Sequence, residues 1–381
     1  MPHSVVCFSH LRWDFVYQRP QHLLTRCAGE HRVFFVEEPV YEHSPPRLEV
    51  TRRDVGLWVV VPHLAHGTDQ ALAVTQQREM LAGLIAEYSI DPFIAWYYTP
   101  MAIELTTGLV PDVVVYDCMD ELSAFRGAPP ELCARERVLF ERADLVFTGG
   151  ESLYEAKRHL HKNVHAFPSS VDVAHFGRAR FAGVEPADQA PIPSPRLGFA
   201  GVIDERMDTA LLAALADAHP EWQIVMVGPV VKIDPASLPR RANLHYLGAR
   251  AYDQLPSYIA GWNVALLPFA LNESTRFISP TKTPEYLAAG KRVVATPIRD
   301  VVRPYGDQGL VEIGEDHASF IAHVERMLAE QSGAAYEAWL SRVDAFLSRS
   351  SWDSTWQSMS RLIDGACGSR GATAERACLT A

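Results

Sequence analysis

The densest chemistry in the chain lies in the run Ser279-Pro280-Thr281-Lys282-Thr283-Pro284-Glu285-Tyr286-Leu287-Ala288-Ala289-Gly290. It follows a strand-like segment and an irregular loop, and Pro284 predicts a helix opening there, since a first-turn residue needs no N–H. The free N–H groups of such a turn, at the positive end of the helix dipole, suit an anion. Lys282 brings a full positive charge to a phosphate. The hydroxyls of Ser279, Thr281 and Thr283 add donors. Glu285 falls in the first turn, where a carboxylate suits paired hydroxyls such as those of a ribose. The competing account is an ordinary capped helix with a favourable glutamate near its start.

Three more segments carry polar groups just past apolar runs. In Gly201-Val202-Ile203-Asp204-Glu205-Arg206-Met207-Asp208 a strand ends in a glycine that would let a ligand approach the backbone. Arg206 is the local cation there, either a ligand contact or a solvated surface residue. Tyr116-Asp117-Cys118-Met119-Asp120-Glu121 sets three carboxylates at a strand's carboxyl end, a place for acid–base or hydroxyl-binding work or for plain turn chemistry. Its aspartates are one residue too far apart for a D-x-D metal site. Ser9-His10-Leu11-Arg12-Trp13-Asp14, leading to Arg19-Pro20-Gln21-His22, has no periodicity. Trp13 suits stacking on a sugar, and Arg12, Arg19 and His22 suit hydroxyls or anions, although His22 equally suits a helix face packed on its own domain.

Other chemistries are excluded or disfavoured. There is no G-x-S-x-G, G-x-G-x-x-G or G-x-x-x-x-G-K-[ST]. The 35 Lys and Arg against 46 Asp and Glu give a net charge of −11, which argues against nucleic acid as a partner. The stretch Lys157-Arg158-His159-Leu160-His161-Lys162 reads as an exposed helix face that could touch anionic lipid. The six cysteines include no C-x-x-C pair and read as reduced thiols, with no structural metal. No apolar run approaches the ~20 residues of a membrane span, and residues 1–10 lack the pattern of a signal peptide. The expectation is a cytoplasmic protein, in contact at most with the inner face of a membrane.

The elements that must hold these residues alternate along 381 residues. Apolar runs at 4–9, 31–36, 56–62, 93–97, 112–116, 144–148 and 164–167 are continuous, as strands covered on both faces are. Amphipathic stretches at 17–29 and 71–88 fall between them, and Ser152 with Glu155 reads as a capping box opening a further helix. Residues 183–195 hold Pro186, Pro191, Pro193 and Pro195 without periodicity and read as a linker. The alternation then restarts, with strands at 196–200, 223–227, 243–247, 263–268 and 292–295. The first three are followed directly by Gly201, Gly228 and Gly248. This predicts two α/β domains with parallel sheets facing across a cleft, where loops at the carboxyl ends of strands build the site.

At this point the chain resembles the GT-B glycosyltransferases. Leu266-Leu267-Pro268-Phe269, Asn272 and Pro280-x-Lys282-x-x-Glu285-Tyr286-Leu287-Ala288-Ala289-Gly290-Lys291-x-Val293-Val294-Ala295-Thr296 look like their nucleotide-sugar segment. Arg12-Trp13-Asp14-x-x-x-Gln18-Arg19-Pro20-x-His22-Leu23, Tyr116-Asp117-x-Met119-Asp120 and Pro168-x-x-Val171-Asp172 look like a bacterial subgroup acting in polysaccharide or teichuronic-acid-type assembly. The resemblance implies two Rossmann-like domains. Residues 1–172 would form the acceptor domain, with a returning helix at about 350–364. Residues 173–195 would form the linker, 196–349 the nucleotide-sugar domain, and 365–381 a disordered tail.

It also implies roles. The donor would be a nucleoside-diphosphate sugar bound by Glu285, Ser279, Thr281, Thr283, Gly201, Arg206, Gly248 and Arg250. Lys282 and the neighbouring N–H groups would stabilise the leaving diphosphate without a metal or other cofactor. Asp120 matches an aspartate that serves as base in some similar enzymes. Trp13, Arg19 and His22 would face a glycan, lipid-linked or small-molecule acceptor. One departure matters: many retaining relatives carry E-x7-E, and here Phe277 stands where the first glutamate would be, with Glu273 out of register. The alternatives are a nucleotide-sugar epimerase of the same fold and a non-catalytic nucleotide-sugar-binding protein. The base, sugar, acceptor, stereochemistry and oligomeric state stay open at this stage.

Overall fold

The computed structural model describes residues 3–181 and 183–379, with the backbone alone for 369–379. The first sheet is built from β1 (Ser4–Phe8), β2 (Arg32–Val36), β3 (Val40–Glu42), β4 (Arg47–Asp54), β5 (Leu57–Ala65), β6 (Phe93–Tyr97), β7 (Val113–Cys118), β8 (Leu145–Thr148) and β9 (Val164–Ala166). Their spatial order is β3-β5-β2-β1-β6-β7-β8-β9. All pairings are parallel except that of β4 with β5. Strands β3 and β4 were not expected. β4, with the sequence RLEVTRRD, is charged and largely exposed, so it lacks the apolar run that marks its covered neighbours.

Helices α1 (Arg19–Cys27), α2 (Gln70–Glu87), α3 (Leu132–Arg142) and α4 (Glu151–Lys157) complete the first domain. The linker is structured, opening with α5 (Val173–Gly177). The second domain holds β10 (Arg196–Ala200), β11 (Gln223–Val227), β12 (Leu244–Gly248), β13 (Val264–Leu267), β14 (Arg292–Ala295) and β15 (Glu312–Ile313), all parallel in the order β12-β11-β10-β13-β14-β15. Around it lie α6 (Thr209–Ala218), α7 (Leu255–Ala260), α8 (Lys282–Ala288), α9 (Arg299–Val301), α10 (His317–Ala329) and α11 (Ala334–Leu347).

Helix α12 (Trp352–Leu379) crosses back to the first domain. Trp352, Trp356, Met359 and Ile363 are buried under one face of the first sheet with Leu23, Leu24 and Cys27 of α1. The other face is closed by Leu81 and Leu84 of α2 and Leu139 and Phe140 of α3. The two chain crossings lie side by side, with Val171 bridging Ser351 and the Ser170 hydroxyl 2.7 Å from that of Thr355. The helix runs on past Gly365, where the sequence predicts a disordered tail, to Leu379. Residues 380 and 381 of the expected tail lie outside the described residues.

Two local readings are corrected. The N-cap of α4 is Gly150, not Ser152, and Ser152 donates its backbone N–H to Asp300 Oδ1 at 3.0 Å. The cap therefore comes from the second domain. Lys157, read as exposed, is 6 % exposed. Its ammonium lies 2.7 Å from Glu121 and 2.9 Å from Glu136, and Tyr116 donates to Glu136 as well. A helix face can be read from a sequence, but not the partner that covers it.

Candidate active site

Both sheets have a topological switch point: β1 lies between β2 and β6, and β10 between β11 and β13. Loops diverge there and leave a crevice at the carboxyl ends of the strands. The two ends face each other across the cleft and enclose two adjoining cavities, of about 290 and 110 Å³, that share Val16, Val202 and Lys282.

The larger cavity has Gly201, Gly228, Arg250, Tyr252, Lys282 and Glu285 on one wall and residues 13–17 of the first domain on the other. Backbone comes close at its floor. A Cβ on Gly228, at φ +147°, would sit 1.8 Å from the Gly201 carbonyl oxygen, so only glycine fits. A Cβ on Gly201 would sit 2.9 Å from the Lys282 side chain. Gly248 lies outside the cavity; its carbonyl accepts the Gly228 N–H at 2.9 Å, holding that turn in place. Arg250 lines the cavity while pairing with Asp188 and Tyr258.

Helix α8 begins at Lys282, earlier than Pro284 suggested. The Lys282 ammonium lies 2.9 Å from the Thr281 hydroxyl. One turn on, Glu285 is 9 % exposed. Burial pushes its carboxyl up to about 7, opposed by Lys282 and a hydrogen bond from Thr281. The Tyr252 hydroxyl, buried without a partner, belongs to the same wall, and its ring stacks on Tyr17 of the first domain at 4.5 Å.

The smaller cavity brings Asp120 together with Arg206, Ser279, Thr281 and Lys282. Burial raises the Asp120 carboxyl to about 6, with Arg206 and Arg19 pulling the other way. Arg206 is held by Asp204 through contacts of 2.9 and 2.7 Å, and its guanidinium lies over the Phe125 ring of the first domain at 5.6 Å. Among the described residues, Asp120 is thus the one carboxylate lining a chamber whose far wall carries Arg206 and Lys282.

Besides Gly248, four expected contacts are placed elsewhere. Thr283 is fully buried and lines neither cavity, because its position in the first turn of α8 turns it into the core. Arg19 reaches the smaller cavity, but its guanidinium is committed to Asp117 at 2.9 Å and to the Phe167 carbonyl at 2.7 Å. His22 is 4 % exposed and stacks on Trp352 at 4.6 Å, and burial drives its pKa down to about 3. It is a neutral packing residue between α1 and α12. Trp13 lines the cavity that holds Glu285, rather than a separate acceptor surface. Sequence reading missed Gly228, Tyr17, Tyr252 and Phe125. Gly228 carried a signal, as the second of three strand-ending glycines; the others gain meaning only once the domains meet.

Residues 194–330 match the family described as glycosyl transferases group 1. The putative teichuronic acid biosynthesis glycosyltransferase TuaH of Bacillus subtilis (strain 168) is 25 % identical over 262 residues, covering 64 % of this chain. The match spans 65 % of the length of that relative. Among solved structures, sucrose-phosphate synthase from Thermosynechococcus elongatus superposes with a TM-score of 0.72 at 14 % identity, covering 96 % of this chain and 100 % of its own. An E. coli trehalose-6-phosphate structure bound with UDP-2-fluoro glucose gives 0.69 at 13 % identity, covering 94 % and 98 %. Residues 194–330 thus carry a match to the group 1 glycosyl transferases, and the chain as a whole has the two-domain GT-B fold.

Proposed function

We propose that the protein is a glycosyltransferase that moves a sugar from a nucleoside-diphosphate sugar to a hydroxyl of an acceptor, without a metal. One observation carries the reading: Glu285 and Lys282, one turn apart on α8, line a cavity that continues into a second one holding Asp120. The first cavity fits a nucleotide, with Glu285 taking the ribose hydroxyls and the loop at Arg250 beside the base. The diphosphate lies against Gly201 and Lys282, with Arg206 beyond. The sugar then reaches the smaller cavity.

In the reaction Asp120 accepts the proton of the acceptor hydroxyl. The acceptor oxygen bonds to the anomeric carbon as the bond from that carbon to the diphosphate oxygen breaks. The nucleoside diphosphate leaves with the electron pair, opposite Lys282 and Arg206, whose fixed charges favour that charge as it develops. Direct displacement inverts the anomeric configuration, consistent with Phe277 standing where many retaining relatives carry a glutamate. An epimerase would use the same donor cavity, but the acid–base group on the facing domain favours transfer.

The test is release of nucleoside diphosphate from the donor with and without an acceptor panel, followed by the anomeric configuration of the product. The proposal expects release that depends on acceptor and yields one inverted glycoside. Conversion of the donor to another nucleotide sugar, with no diphosphate released, would establish the epimerase instead.

A further inference from the structure

A third cavity, of about 470 Å³, opens at the switch point of the first sheet, under the carboxyl ends of β2, β1 and β6. It is within the size range of small-molecule sites, about 300–1,000 Å³. Helix α2 explains why the space exists. Its inward positions run Ala73, Gln77, Leu81, Leu84. The two leucines fill the sheet's lower half, whereas Ala73 leaves the upper half open between Phe8, Val36 and Met101. Phe8, Val36, Ala73, Met101, Ala102 and Leu105 make much of the lining apolar; the buried Gln77 donates its amide to the Ala73 carbonyl at 3.1 Å, and the hydroxyls of Ser9 and Thr99 lie near the strand ends.

Its charge is opposite to that of the smaller cavity of the cleft, where Arg19, Arg206 and Lys282 face Asp120. The charged residues on its lining are Glu37, Glu38, Glu104 and Arg135. Arg135 is paired with Glu104, and Glu37 accepts from Arg12 at 2.8 Å and from the Trp13 N–H at 2.8 Å. The cationic groups Lys282 and Arg206 lie instead in the cavities across the cleft. Asp120 follows β7, two strands from β1 in the sheet order, which at ~4.8 Å per strand puts the cavity mouth about 10 Å away laterally.

We propose that this cavity takes the body of the acceptor, and that the acceptor is an amphiphile with a hydroxyl-bearing head and an uncharged alkyl or aryl body, carrying no phosphate. The apolar part of the lining binds the body by burial, about 25 cal/mol per Å² of apolar surface removed from water. Glu38, exposed at the rim, repels an anionic head, whereas Glu37 and Glu104 are held by Arg12 and Arg135. The head, anchored there, points along the strand ends toward Asp120. This inference rests on the transferase reading and specifies its acceptor.

Calorimetric titration with n-octyl β-D-glucoside below its micellar concentration, n-octyl phosphate and glucose tests it. The expected result is binding of octyl glucoside at least tenfold tighter than octyl phosphate or glucose. Ala73→Leu should weaken octyl glucoside at least tenfold while leaving nucleoside diphosphate binding unchanged, which also shows that the variant is folded. Glu38→Lys, at the exposed rim, should shift the preference at least tenfold toward octyl phosphate. Equal or tighter binding of octyl phosphate, indifference to Ala73→Leu, or no binding of octyl glucoside would overturn the proposal. If nucleoside diphosphate binds and octyl glucoside does not, this inference alone falls. If nucleoside diphosphate does not bind, the donor reading falls with it.

Discussion

Glu285 illustrates the tension between stability and binding at the scale of one residue. Its pKa of about 7 lies above the ordinary carboxylate value of 4.5, because burial disfavours the charge. The folded protein therefore holds a proton there that the unfolded chain loses, so stability falls as pH rises from about 4.5 to about 7. Glu285→Gln should leave stability unchanged at pH 4.5 and raise it by about 1–3 kcal/mol at pH 8, by thermal unfolding without nucleotide. The same variant should weaken nucleotide binding by at least tenfold, because an amide cannot accept two hydroxyls as a carboxylate does. Asp120→Asn should lower kcat by roughly 10²–10⁴ with little change in nucleotide affinity. The wild-type rate should rise with pH through about 6, as Asp120 ionises, and the variant should lose that limb. Both carboxylates stand out in the sequence, Asp120 just past an apolar run and Glu285 in a helix's first turn beside Lys282, and the structure puts each on a cavity wall. Arg19 and His22 were not assignable: their partners Asp117 and Trp352 lie far along the chain, and nothing in the residues near α1 points to them.

At the scale of elements, the parallel strands were readable as unbroken apolar runs, and the loops after them as the place for polar groups. Strand β4 was not, since a charged edge strand looks like a loop until β5 pairs with it. Helix α4 was found but its cap was misassigned. Asp300, on α9, takes the Ser152 N–H, and Gly150 has room for no side chain, since a Cβ would meet Asp300 at 2.2 Å. Such a cap joins the domains as well as ending a helix. Asp300→Ala should cost about 1 kcal/mol, and Asp300→Asn less, in thermal unfolding. Gly228→Ala should abolish nucleotide binding, since its methyl would collide with the Gly201 backbone at the cavity floor. Preserved nucleotide binding in that variant would mean that the turn between β11 and β12 does not bear on the ligand.

For the whole molecule, the pattern of two α/β halves about a proline-rich joint was legible, because alternation and its interruption are properties of composition along the chain. How the halves meet was not. Phe125 under Arg206 and Tyr17 against Tyr252 are contacts between residues from different halves, and each half presents them as ordinary loop residues. Helix α12 ties the ends together. Its Trp352, Trp356, Met359 and Ile363 are each nearly fully buried against the first sheet, at about 1.5–3 kcal/mol per large apolar side chain. That is comparable to the about 5–15 kcal/mol stability of a whole domain. A chain ending at Ser350 should therefore lose the cooperative unfolding of the first domain and aggregate, as read by differential scanning calorimetry and light scattering. Trp356→Ala, with the helix kept, should lower the first domain's transition without abolishing it.

The central claim is that a nucleoside diphosphate binds in the cleft through Glu285 and Lys282. Thermal unfolding with UDP, GDP, dTDP, CDP and ADP, for wild type and Glu285→Ala, tests it most directly. A nucleotide at about 100 times its dissociation constant adds about 2.7 kcal/mol to the native state, a shift of a few degrees. The account predicts that one nucleotide stabilises the wild type to that degree and that Glu285→Ala loses the shift. A wild type indifferent to all five, or a variant stabilised as much as the wild type, would contradict it.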